Sequence, residues 1–287
     1  MAMDRRTELG DFLRSRRARL RPEDLGLPRH GGLRRVPGLR REELAQLAGV
    51  SVDHYVRLEQ GRTLHFSEAV LDAVARALRL DAVEREHLYR LARPAPSSDP
   101  SPYPSSDDVR PGLRRLLDSA ADVPAYVIGR GTQVLAWNAL AAALLTDFAE
   151  LPPRERNMAR LVFLDDAMRS LYADWRAKAH DVAAYLRLDA ARHPGDPALA
   201  ALLAELHTSS PHFREVWSAH HLRDKTHGAY LYHHPLVGPL DLAFETFRLP
   251  DTPDQAVVIH TVEANSPSAT ALRLLATWSR ETSRAAR

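Results

Sequence analysis

The chain has 287 residues, enough for one large core or two modest ones, and its 45% hydrophobic and 26% charged content is that of an ordinary globular protein. It contains no cysteine, which excludes disulfides, thiolate metal sites and cysteine nucleophiles, and no apolar run approaches the roughly 20 residues that a membrane helix needs. The net charge of +2 hides an asymmetry: residues 1–93 carry 19 Arg and 14 acidic residues, and residues 1–41 alone carry 12 Arg, 5 acids and no Lys, an excess that suits phosphate contacts.

The first stretch, MAMDRRTELGDF, has no apolar h-region, so a cytoplasmic protein without a membrane partner is expected. Thr7 to Leu20 places Leu9, Phe12, Leu13 and Leu20 on one side of a helix. RPEDLGLPRHGGLRRVPG is too rich in Pro, Gly and Arg to continue it. Helices then follow at Leu39 to Ala48 and Ser51 to Gln60, and two more begin at Ser67 and Asp81, each a capping residue. In PAPSSDPSPYPSS, residues 94–106, 10 of 13 residues are Pro or Ser, which marks an extended linker.

Beyond the linker the pattern changes. AYVIG and TQVLAWN read as a hairpin closed by a Gly-Arg-Gly corner. Helices are expected over Ala139 to Asp147, around Met158 to Leu161, over Asp165 to Arg192, over Ala198 to His207 and over His212 to His221. GAYLYHH, LDLAFETFR and AVVIHTVE then read as three strands, before a last helix from Pro267 to about Arg280. Two strands, a long helical insertion and three strands imply an α+β domain: an antiparallel five-stranded sheet with helices on one face. The expected division is 1–93 helical domain, 94–110 linker, 111–280 second domain and 281–287 tail.

LAGVSVDHYVRLEQGR, residues 47–62, concentrates the chemistry. Gly49 can end one helix in the left-handed conformation and Ser51 can cap the next. If Tyr55 and Leu58 point back onto Leu44 and Ala48, then Ser51, Val52, Asp53, His54, Val56, Arg57 and Gln60 lie nearer the open side. Side chains at the start of such a helix can reach base edges in a major groove.

RREELAQLAGVSVDHYVRLEQGR resembles the helix-turn-helix of the XRE or phage-repressor family, flanked by LRSRRARL and AVLDAVARALRL, over residues 7–92. The resemblance implies a five-helix domain whose third helix reads double-stranded operator DNA. It puts Arg41 and Ser51 on phosphate and Val52, Asp53 and Arg57 on base edges, with Gln60 and Arg62 on the same surface. Arg57 then suits guanine, Asp53 a cytosine amine and Val52 a thymine methyl. It pairs Arg17 with Glu59 as structure. His54 is open between a DNA contact and a hydrogen bond to a neighbouring helix.

LRRVPGLRREELA, VPAYVIGRGTQVLAWNALAAALL, HPGDPALAALLAEL and KTHGAYLYHHPLVGPLDLAFET together resemble the MmyB-like regulators of actinobacteria, over nearly the whole chain. That resemblance implies a second domain of PAS-like fold enclosing a hydrophobic pocket for a fatty-acid-type ligand. Tyr126, Trp137, Phe163, Trp175, Phe213, Trp217, Phe244 and Phe247 either line such a pocket or fill a core. Its polar groups would come from Asn138, Arg160, His220 and His233 or His234.

Fourteen histidines invite a metal reading, yet no H-x3-H or HExxH pair exists. GxSxG, P-loop and GxGxxG are likewise missing. The expectation is a transcriptional regulator, not an enzyme, with no cofactor beyond a bound fatty acid or similar ligand, acting as a homodimer. Two alternatives stand beside it: a second domain that only dimerises or docks a partner, and an acyl-ester hydrolase.

Overall fold

A computed structural model describes residues 5–25, 38–62, 66–93, 108–222 and 225–285. The Pro/Ser-rich segment up to residue 107 and most of the Arg-rich connection (26–37) lie outside these residues. The chain divides into two units.

The first unit comprises Met1–Asp99 with two later segments, Arg187–Ala201 and Trp217–Arg223. Its helices are α1 (Arg5–Arg19), α2 (Arg41–Ala48), α3 (Val52–Glu59), α4 (Glu68–Ala77) and α5 (Ala82–Ala92). The Arg-rich connection opens with a short 3-10 turn, Pro22–Leu25, which the irregular sequence concealed. Caps set the helix starts: Ser51 and Ser67 oxygens accept from the backbone N–H of His54 and Val70, and Asp81 and Glu84 cap reciprocally. Leu9, Phe12, Leu13, Leu44, Tyr55, Leu58, Leu71, Val74, Leu88 and Leu91 form one core, which also takes in Leu188 and Leu222 from the later segments. Fully burying one such leucine is worth about 1.5–3 kcal/mol.

The second unit holds the sheet: β1 (Ala125–Ile128), β2 (Val134–Trp137), β3 (His227–His234), β4 (Gly238–Leu249) and β5 (Thr252–Thr261), antiparallel throughout in the order β2-β1-β5-β4-β3. The Gly-Arg-Gly corner is a 3-10 turn with positive φ at Gly131 and Thr132. Helices α6 (Pro111–Ser119), α7 (Ala139–Leu144), α8 (Met158–Leu164), α9 (Asp166–Leu171), α10 (Trp175–Arg192), α11 (Pro197–Ser209), α12 (Pro211–Ser218) and α13 (Pro267–Ala285) complete the chain. The last turn of α10 and the start of α11 belong to the first unit.

Four expectations need correction. The helix expected over Asp165 to Arg192 is two, because Tyr172 bridges to Tyr232 of β3 and the Ala173 N–H donates to the Leu231 carbonyl, which takes the chain out of helix. The helix from Ala139 stops at Leu144, and the last helix runs on to Ala285. Helices do not keep to one face: α6 packs Val109, Leu113 and Leu117 against Ala125, Val127, Ala136 and Val257, opposite the face that carries Tyr126, Tyr230, Tyr232, Phe244 and His260.

Candidate nucleic-acid interface and candidate ligand cavity

In the first unit α2 ends at Gly49, whose φ of 66° is left-handed, and its N–H donates to the Gln46 carbonyl at 3.1 Å. The next helix therefore starts at once. Tyr55, Leu58 and Glu59 are buried, whereas Ser51, Val52, Asp53, His54, Arg57, Gln60 and Arg62 are exposed and Val56 is half-buried.

Glu59 anchors this corner from within. Its carboxylate, fully buried, accepts from Arg17 Nε at 3.1 Å and Nη2 at 3.2 Å, and from Arg41 Nε at 2.8 Å. Burial alone would raise its pKa; hydrogen bonds from Arg17 and Arg41, with the Arg17 charge, outweigh that and hold it below the ordinary carboxylate range. Arg41 is thus tied down at one edge while 43% of its side chain stays accessible, leaving other N–H groups of its fork to point outward. Ser51 uses its oxygen as a cap acceptor and keeps its O–H free to donate.

On the open side Arg57 Nε lies 3.0 Å from Asp53, a pair so exposed that it contributes under about 1 kcal/mol to stability. Its effect is to hold the guanidinium along the helix. His54 makes an edge contact with Phe66, ring centroids 5.2 Å apart. Gly10 of α1 was not singled out by sequence: a Cβ there would lie 2.5 Å from the Glu59 carbonyl oxygen, so only glycine lets α1 approach the end of α3.

The second unit contains a cavity of about 890 Å³. Trp137, the α7 residues Ala142, Ala143 and Leu144, Leu171 of α9, His234 of β3 and Trp278 of α13 are among its walls. His234 accepts from the Leu236 N–H through Nδ1, so Nε2 carries the proton that is donated to the Ala143 carbonyl at 2.9 Å. Leu236 and Trp278 give it an exposed apolar rim.

Of the residues expected at a ligand site, the structure brings together Trp137, His233 and His234. Tyr126 pairs with Trp137 across the β1–β2 ladder. The others have different partners. Asn138 is saturated: Oδ1 accepts from Ala141 and Ala125, and Nδ2 donates to Ala120 and Val123, which leaves nothing for a ligand. Arg160 is paired with Glu205. Phe163, Trp175 and Phe213 stack edge to face as core, and the Trp175 Nε1–H donates to the Val162 carbonyl. Phe244 stacks on Tyr230, and Phe247 is exposed on the opposite side of the sheet.

Trp217 and His220 belong to the first unit, where sequence did not place them. There the buried Arg187 lies over the Trp217 ring at 4.1 Å and donates to the Trp217 carbonyl and to the Glu8 carboxylate. His220 Nδ1 is 3.6 Å from Glu8, and the His220 carbonyl accepts from Arg16 at 2.7 Å. The small residues of the cavity wall were also missed; the run Ala141, Ala142 and Ala143 was the available signal, since alanines on a helix packed near a sheet leave room. Among the described residues no group of three or more His, Cys, Asp or Glu could hold a metal, and no helix is long and apolar enough to cross a membrane.

A family model for the MmyB-like transcription regulator ligand binding domain matches residues 109–275. The chain belongs to the MmyB-like transcription regulators. A helix-turn-helix domain model matches residues 8–88 of this regulator, over the face built around α3. No curated protein matches the chain. The MmyB-like regulator thus joins a DNA-binding helix-turn-helix to a domain that senses a small molecule, and the cavity lies within the second.

Proposed function

We propose that this MmyB-like regulator is a cytoplasmic homodimer that reads operator DNA with the open side of α3 and responds to a fatty-acid-like ligand, without catalysing a reaction. The observation that carries the reading is the division of α3: Tyr55, Leu58 and Glu59 are spent on the core, which leaves Ser51, Val52, Asp53 and Arg57 facing outward from a rigid corner. In the proposed complex Ser51 and Arg41 donate to phosphate, Arg57 pairs with guanine, and Asp53 and Val52 meet a cytosine amine and a thymine methyl. Gln60 and Arg62 flank that surface. One such helix makes few base contacts, so two copies on half-sites about 34 Å apart, or a multiple of that, supply the affinity.

The cavity supports the ligand half of the reading: its volume falls within the range of small-molecule pockets, and its walls are mainly apolar. A ligand alters DNA binding only by binding differently to two arrangements of the dimer. Mobility shift on DNA upstream of the protein's own gene tests the first half. Arg57→Ala is expected to cost about 1–3 kcal/mol and to relax selectivity at one base pair; unchanged affinity and selectivity would refute the assignment of α3. Native mass spectrometry tests the rest, with a dimer carrying a co-purified lipid as the expected species.

A further inference from the structure

Helix α13 is apolar on both of its sides. The buried side, Ala269, Leu272, Leu275, Ala276 and Ser279, follows helical spacing and packs on α7 and β4. Leu274 and Trp278, four residues apart and therefore on one side of the helix, point the other way, 62% and 47% exposed. Leu236, in the turn between β3 and β4, is 60% exposed and shares the cavity rim with Trp278. A single exposed leucine is ordinary on a protein surface. Three large apolar side chains in one region, one of them a tryptophan, mark a surface that a partner covers.

The polar residues beside them decide what that partner is. Arg273 and Glu281 are both exposed and eight residues apart, with Leu274 and Trp278 between them; Thr270 and Thr277 complete the open face. Arg273 spends one N–H on the Thr270 hydroxyl at 3.1 Å, which leaves the rest of its fork to donate. The order basic, Leu, Trp, acidic is its own complement when reversed. Laid antiparallel about a twofold axis at Ala276, a second copy of the helix sets Leu274 opposite Trp278 twice. At about 1.5 Å per residue the same arrangement brings each Arg273 within about 3 Å, along the axis, of the other copy's Glu281. A partner carrying one sign of charge would leave the other sign unmatched.

We propose that the open face of α13 is a dimer interface whose occupant is α13 of a second copy of this chain, packed antiparallel through Leu274 and Trp278 with Arg273 and Glu281 paired at both ends. The inference rests on the reading of this regulator as a homodimer and names the surface that forms it. Because Trp278 is also part of the cavity wall, whatever fills the cavity touches a residue of the dimer contact.

Sedimentation velocity of the full-length protein tests it. Three such side chains expose a few hundred Å², below the roughly 800 Å² per partner of a standard interface, so the expected dimer dissociates in the micromolar range. Leu274→Glu, at a site outside the core, should weaken it at least about tenfold. Arg273→Glu and Glu281→Arg should each weaken it about tenfold, and the two together should restore it, which damage to the fold would not do. Circular dichroism checks each variant, and if Leu274→Glu loses its fold the charge exchange decides alone. A parent protein that stays monomeric up to about 100 μM overturns the homodimer reading and this inference with it. A parent dimer that a folded Leu274→Glu variant matches overturns the interface and leaves the homodimer standing. So does a charge exchange in which the single changes have no effect, or in which the double variant dimerises no better than they do.

Discussion

Replacing Glu8 by Gln removes the carboxylate that hydrogen-bonds the buried Arg187 guanidinium. Glu8 is 4% and Arg187 1% exposed, and a guanidinium does not give up its proton at any working pH. Burial would raise the Glu8 pKa, but the His220 ring and the Arg187 charge hold it down to about 2, from 4.5. At about 1.4 kcal/mol per pKa unit that difference corresponds to about 3 kcal/mol of stability. Breaking a buried pair by deleting one partner costs about 3–5 kcal/mol, a second route to the same size of effect. Glu8→Gln should therefore lower the stability of the first unit by about 3 kcal/mol and its melting temperature by roughly 10–20 °C. The sign with pH follows from a depressed carboxylate: the contribution is complete above pH 4.5 and is lost as pH falls towards 2. Urea denaturation followed by circular dichroism at pH 7 and at pH 3 measures both. A loss below about 1 kcal/mol at pH 7 would refute the reasoning, since surface pairs give that much. The charge-free double variant Glu8→Leu with Arg187→Met should recover most of the loss. If it is as unstable as Glu8→Gln, an unpaired charge is not the cause.

Two buried histidines predict a loss of stability in mild acid. Burial holds His87 and His260 down to about 3, so each is neutral when folded and protonates near 6.5 when unfolded; stability is complete above pH 6.5 and falls by about 1.4 kcal/mol per pH unit per histidine below it. Urea midpoints from pH 7 to pH 5 should fall, less steeply for His87→Phe, and a flat profile would contradict the burial argument. The two turn and contact glycines should respond differently to alanine: Gly49→Ala costs about 1–2 kcal/mol for left-handed backbone alone, because a Cβ there meets nothing within 4 Å, whereas Gly10→Ala forces α1 off α3 at about 1–3 kcal/mol and weakens DNA binding as well. Equal effects on DNA binding, read by mobility shift, would remove the reason given for Gly10. Glu59→Ala should cost about 3 kcal/mol by releasing Arg17 and Arg41 together, and a thermal melt within about 2 °C of the parent would show that neither arginine depends on it.

The helix-turn-helix was legible because its determinants are local. A 3.6-residue apolar period, Gly49 at the stop and Ser51 at the start fix α2 and α3 with no knowledge of the rest. The strands were legible for a similar reason: β3 alternates buried and exposed residues from Ala229 to His234. What escaped depended on distant partners. The periodic run from Met168 to Leu186 reads as one helix until the edge of β3 competes for the backbone of Tyr172 and Ala173. Helix α6 carries a signal, Pro111 at its first position with Leu113 and Leu117 one turn apart, but the stretch between the linker and the first strand is short and no helix was expected there. Asn138 looked like a pocket group because its type is right; only the carbonyls of Ala120 and Val123, which fold back beside it, show that its donors are used. Arg187 was not singled out by sequence, since arginine is rarely buried, and is among the largest fully buried side chains of the described residues.

The placement of that arginine bears on modularity. Fusing or swapping DNA-binding heads at a linker assumes that the head carries its whole core, yet Leu188, Leu222 and the partner of Glu8 come from more than a hundred positions downstream. A head transplanted from another regulator would meet a guanidinium shaped for a carboxylate that it does not have. In this lineage the two halves are therefore expected to change together, and compatible hybrids to be those whose donor supplies an acid at the position of Glu8.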